Sequence, residues 1–161
     1  MEASNKISFA SEYFNKAYDL HLKGKIDDAI KNYKISIKYY PTAKAHTYLG
    51  WAYSLHGKYE DAIEECEIAV ELDTDYGNPY NDIGSYLINL GRFDEAIIWL
   101  EKASEAEDYE PRHYPYFNLG RIYEKKGDWV TAMKYYEDAL DINPDYDIAK
   151  SALLRLTAMM N

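Results

Sequence analysis

Apolar residues in this chain return every three or four positions, stop at a glycine, and then resume. Leu49, Tyr53, Ile63, Cys66, Ala69, Val70 and Leu72 fall on two such stripes, broken at His56-Gly57. This spacing lays the apolar side chains along one face of a helix. The break predicts a tight turn, because a residue without a Cβ takes the left-handed backbone at a helix end at least cost. Asp27, Asp61 and Asp94 lie just after such breaks. Each brings a carboxylate to the first turn of the next helix, where the dipole favours negative charge. The pattern predicts an all-α chain of helix–turn–helix units.

The unit occurs four times. Gly24-Lys25-Ile26-Asp27-Asp28-Ala29, Gly57-Lys58-Tyr59-Glu60-Asp61-Ala62, Gly91-Arg92-Phe93-Asp94-Glu95-Ala96 and Gly127-Asp128-Trp129-Val130-Thr131-Ala132 share a glycine, a large apolar residue and an alanine at fixed offsets. The glycines recur about every 34 residues, and a unit of that length buries its apolar face only by stacking on copies of itself. Small residues form columns: Ala17, Gly50, Gly84 and Gly120 in the first helices, Ala29, Ala62, Ala96 and Ala132 in the second. A glycine inside a helix costs about 1 kcal/mol relative to alanine, so the first column predicts close helix approach. A third column, Ser36, Ala69, Ala103 and Ala139, is expected where each second helix meets the next unit. Large residues flank the first column: Tyr13, His46, Tyr80 and Tyr116 before it, Leu20, Tyr53, Leu87 and Tyr123 after it. Pro41 and Pro144 close units, and Pro79 and Pro115 are expected at first helical positions, where a missing N–H is tolerated.

These columns resemble the tetratricopeptide repeat family. Its pattern is nearly complete in the last unit as Tyr116, Leu119-Gly120, Tyr123, Ala132, Tyr136 and Pro144. The resemblance implies a right-handed α-solenoid of four units, 10–42, 43–76, 77–110 and 113–146, in one domain spanning 1–161. Ile148, Ala149, Ala152, Leu153, Leu156 and Met160 continue at helical spacing, as a C-terminal capping helix over 147–160 that covers the last repeat, with Lys150, Ser151 and Arg155 facing water. Ile7 and Phe9 extend the first helix, and the first nine residues are expected to be only partly ordered. The chain departs from the family pattern at Ala17 (for Gly), at Cys66 and Leu100 (for an aromatic), at Thr74 and Asp108 (for Pro), and through two extra residues near Pro111-Arg112.

Composition narrows the function. The net charge of −10 argues against nucleic acid and anionic membrane as partners, since both need a basic face. A single cysteine excludes an intrachain disulfide and fits a reducing compartment. The chain starts without a basic segment followed by an apolar one, and no apolar run approaches the ~18 residues of a membrane span. The expectation is a cytoplasmic protein.

Chemistry-bearing constellations are missing. The four histidines are scattered, His46 occupies a packing column, and Cys66 stands in a core column among acidic neighbours that discourage a thiolate. No phosphate-binding glycine motif occurs. The acidic run Glu60, Asp61, Glu64, Glu65, Glu67, Glu71, Asp73 and Asp75 reads as a solvated helix face. No enzymatic activity, cofactor or metal is expected.

The resemblance places the first helices along a concave groove. The residues expected to bind a peptide there are Asn15, Tyr18, Tyr48, Trp51, Asn78, Asn81, Asp82, Ser85, Phe117, Asn118, Arg121 and Lys125, with Phe14 and Thr47 among their neighbours. Asparagine amides match the unpaired N–H and C=O groups of an extended backbone. Tyr48, Trp51 and Phe117 offer aromatic pockets, and Arg121 and Lys125, one turn apart, suit an acidic side chain. Family members that serve heat-shock chaperones grip a terminal carboxylate with several cations. The corresponding positions here lack them, which argues against that role. The function expected is a protein–protein interaction adaptor that binds an extended partner segment. The alternatives are a dedicated secretion-type chaperone for one client and a module that self-assembles into homo-oligomers through residues such as Leu154, Met159 and Met160.

Overall fold

The structure, a computed structural model, describes residues 2–160 and builds them from nine helices. They are α1 (Ala3–Leu22), α2 (Ile26–Tyr39), α3 (Ala43–Leu55), α4 (Tyr59–Leu72), α5 (Asn78–Asn89), α6 (Phe93–Glu105), α7 (His113–Lys125), α8 (Trp129–Ile142) and α9 (Asp147–Met160). No strand forms among the described residues; one isolated parallel bridge joins Tyr76 and Asp108. Among the described residues, no helix is long and apolar enough to cross a membrane.

Each hairpin turn repeats one geometry. Gly24, Gly57, Gly91 and Gly127 have φ between 70° and 79°. The residue after the glycine donates its N–H back across the turn, as Lys25 to the Leu20 carbonyl and Asp128 to that of Tyr123, both at 2.9 Å. This six-residue closure satisfies carbonyls that the helix end leaves open. The next helix starts with acidic residues in three of four cases: Asp27 and Asp28, Glu60 and Asp61, Asp94 and Glu95. In the fourth, the Asp128 carboxylate accepts from the Thr131 N–H at 3.1 Å.

Helices pack as pairs, α1 on α2 through α7 on α8, and each pair stacks on the next. The small columns are the seams. All four alanines of the second-helix column are fully buried, as are Ala69, Ala103 and Ala139 of the third. A Cβ at Gly84 would lie 2.5 Å from Leu100, and one at Gly50 would lie 2.9 Å from the Ala62 carbonyl oxygen. The core runs along the seams through Tyr33, Leu49, Ile83, Leu100, Ile122 and Tyr136. Helix α9 sets Leu156 against Ala132 and Tyr136, and it leaves Leu154 75% exposed.

Several expectations need correction. Helix α1 starts at Ala3, so the segment expected to be partly ordered is helical; Met1 lies outside the described residues. Pro79 and Pro115 occupy the second and third positions of their helices, not the first. A proline is still accommodated there, because the first four N–H groups have no intrahelical partner. The two extra residues near Arg112 are stitched in. The Arg112 guanidinium donates to the Ser104, Ala106 and Glu107 carbonyls at 2.7–3.2 Å. The loop it holds pairs with the preceding inter-unit loop, the Asp108 N–H donating to the Asp75 carbonyl and the Gly77 N–H to that of Asp108. Tyr109 is buried over Gly77, in space that a side chain at 77 would occupy.

Candidate binding groove

Successive first helices touch: α1 meets α3, α3 meets α5, and α5 meets α7. The side where neighbouring helices close up is the inner side of a curved stack. The outward residues of these four helices therefore form one continuous inner wall.

Its N-terminal part is aromatic. Tyr48 receives Phe14 and Tyr18 edge-on at 5.3 and 5.6 Å, and Trp51 at 5.8 Å. Trp51 is 37% exposed and lies over the His21 ring at 3.9 Å. Burial lowers the basicity of His21, whose Nδ1 meets the Tyr33 hydroxyl at 3.2 Å and whose Nε2 has no partner among the described residues. The Lys44 ammonium stands 5.1 Å from the Phe14 ring centre, and Asn15 is exposed beside Phe14. Thr47, expected in the groove, is instead buried, its hydroxyl donating to the Ala43 carbonyl.

The centre belongs to α5. Asn81 and Asn118 are 8% and 7% exposed. Asn118 Nδ2 donates to Asn81 Oδ1 at 3.0 Å, and Arg121 donates to Asn118 Oδ1 at 3.0 Å. Two asparagines expected to face a ligand freely are thus committed to each other across α5 and α7. Asp82 lies beside this row, half-buried, and its charge is felt by Tyr48, Tyr76, Tyr86 and Tyr109. Burial pushes its carboxyl up to about 7, against a smaller downward pull from hydrogen bonding by Asn81. Asn78 and Ser85 are half-buried on the same helix.

The C-terminal part is a basic hollow of about 550 Å³, lined by Phe117, Arg121, Glu124, Lys125, Tyr136 and Arg155 among others. Arg155 pairs with Glu124 at 2.7 Å, and Tyr136 donates to the same carboxylate at 2.8 Å. These bonds hold Glu124 below the ordinary carboxylate range, with the Arg155 bond the larger cause. Lys125 is exposed. Arg155 was expected to face water; it does so while closing this hollow from α9.

The wall therefore gathers Tyr18, Tyr48 and Trp51 in one cluster and Asn81, Asn118 and Arg121 in another, with Phe117 and Lys125 beyond. Sequence reasoning missed Tyr76, Tyr109 and Arg155. The first two lie in inter-unit loops, and loop residues carry no periodic signal. Cys66 is buried, with its thiol pushed well up by burial. No group of three metal-ligating side chains converges among the described residues.

Two family models described as tetratricopeptide repeat match residues 14–77 and 75–145. The chain is 38% identical over 95 residues to the protein STIP1 homolog of Dictyostelium discoideum, covering 55% of this chain and 17% of that one. It spans between 16% and 56% of the length of the curated relatives it matches. Among solved structures, Pseudomonas aeruginosa PilF superposes with a TM-score of 0.89 at 21% identity, covering 97% of this chain and 71% of the other. YrrB, described as a TPR protein with an unusual peptide-binding site, gives 0.73 at 22% identity over 89% of this chain and 73% of its own. With the repeated turns and small-residue seams, the matches make this chain a member of the tetratricopeptide repeat family.

Proposed function

We propose that the protein is an interaction adaptor that holds an extended segment of a partner protein along the inner wall of α1, α3, α5 and α7. The observation that carries this reading is the exposure of aromatic surface in one row. Tyr48 and Trp51 remain accessible beside Phe14 and Tyr18 although the core nearby is fully packed. Aromatic rings on a rigid wall bury much area at little entropic cost. YrrB's peptide-binding site, on a similar fold, agrees with this use. The acidic balance disfavours nucleic acid and anionic lipid as partners. The residues assigned to the surface are Asn15, Tyr18, Tyr48, Trp51, Asn78, Asp82, Ser85, Phe117, Arg121 and Lys125, with Asn81 and Asn118 as the supports that fix Arg121.

The test uses short capped peptides of mixed sequence and fluorescence polarisation. Trp51→Ala with Lys125→Ala is expected to weaken binding at least tenfold and leave the melting temperature within a few degrees of wild type. Ile98→Ala, on the exposed outer face of α6, serves as the control and should bind normally. Equal loss in the control, or wild-type binding by the groove variant, would remove the inner wall as the site.

A further inference from the structure

Asp82 is a carboxyl without a counter-ion. Among the described residues no lysine, arginine or histidine side-chain nitrogen lies within 4.0 Å of its carboxylate oxygens. It lies on the inner wall, in the middle of α5, near several tyrosines and half-buried. Withdrawing a lone carboxyl from water is unfavourable unless something compensates it. Every other acidic side chain is either more exposed to water or, for Glu65 and Glu124, joined to a basic side chain, apart from the half-buried Asp138.

The surroundings of Asp82 suit a cation. Tyr48, Tyr76 and Tyr109 stand near it, and tyrosine faces attract ammonium and guanidinium groups. The adjoining wall already does this within the chain, where the Lys44 ammonium lies 5.1 Å from the Phe14 ring centre and 6.0 Å from that of Tyr48. The long alkyl stem of a lysine or arginine would lie against the rings, and its head would reach the carboxylate.

The opposite charge lies one helix further on. Arg121 is tied to α5 through Asn118 and Asn81, and Lys125 is free one turn beyond it. Packed helices lie about 8–10 Å apart, and an extended chain advances about 3.3 Å per residue. Charges on neighbouring first helices therefore match ligand side chains about three residues apart.

We infer that the groove selects a partner segment carrying a lysine or arginine over Asp82 and an acidic side chain about three residues away over Arg121 and Lys125. This rests on the peptide-binding reading above and names the chemistry that reading leaves open. The charge order also fixes which way the segment runs.

Three pools of short capped peptides test it on the full chain. One has lysine and glutamate three positions apart, in either order, within mixed sequence. The second has glutamine in place of the lysine, and the third has glutamine in place of the glutamate. Wild-type protein is expected to bind the second and third pools at least tenfold more weakly than the first. Asp82→Asn, an isosteric change, is expected to lose its preference for lysine and keep its preference for glutamate, with its melting temperature checked alongside. Binding of the first pool to wild type should tighten from pH 6 to pH 8 as Asp82 ionises, and Asp82→Asn should show no such change. The groups facing Asp82, namely Tyr48 from α3, Cys66 from α4, Tyr86 on α5, and Tyr76 and Tyr109 from the loops, have pKa values raised from their ordinary ranges and stay protonated over that interval. Equal binding of all pools, or an unchanged lysine preference in Asp82→Asn, overturns the charge assignment while leaving the groove as a peptide site. Failure of every pool to bind overturns both.

Discussion

A mid-helix glycine is a cost unless the missing Cβ is used. At Gly120 a Cβ would lie 2.5 Å from the Tyr136 ring, which is itself fully buried and bonded to Glu124. Gly120→Ala must move that ring or part α7 from α8. Overpacking of this kind costs about 1–3 kcal/mol, so thermal melting followed by circular dichroism should drop by several degrees. An unchanged midpoint would mean that Tyr136 yields freely. The column itself was legible, because one residue type returns at one period. Its partners were legible only in part: Cys66, Leu100 and Tyr136 share a position, yet what each touches depends on the packing. The His46–Glu65 pair, 2.6 Å across α3 and α4, was invisible. Glu65 reads as one more member of a solvated acidic face, and only tertiary contact distinguishes it from Glu64 and Glu67.

Among the elements, the join between α6 and α7 is the irregular one. Arg112 closes the end of α6 with three carbonyl bonds, which a side chain of similar length without charge cannot make. Arg112→Met keeps the stem and removes the donors. Hydrogen bonds from a charged group contribute about 1.5–3 kcal/mol each where buried; this partly exposed fork should be worth about 1–3 kcal/mol in all on the same scale. The urea midpoint should fall accordingly with an unchanged slope, and a midpoint equal to wild type would show that water replaces the fork. The surplus residues at this join were visible as a break in period. Their role was not, because backbone carbonyls have no signature in a sequence. Helix existence and the turn glycines were readable throughout, since both rest on local periodicity and backbone chemistry.

Across the whole molecule, the turn edge carries a ladder of polar side-chain contacts from unit to unit. His56 meets Asp27 at 3.0 Å, Arg92 meets Glu60 at 3.2 Å, and Lys126 reaches Asp94. All three are exposed, so each is worth little alone; they align units whose seams supply the stability. The inner wall was legible as a surface, because family geometry assigns it to the first helices. Its division into aromatic, acidic and basic thirds was not, since Tyr76 and Tyr109 enter from loops and Arg155 from α9. The paired loops lead to one more expectation. The Asp108 and Gly77 amides are held by carbonyls of the neighbouring inter-unit loop, whereas the Asp145 amide answers only to the side chain of Asn143 nearby. Deuterium uptake at Asp108 and Gly77 should be slow and matched, and faster at Asp145. The two protected positions act as a built-in gauge of the paired inter-unit loops coming apart, and equal uptake at all three would mean that the solenoid already breathes at its middle.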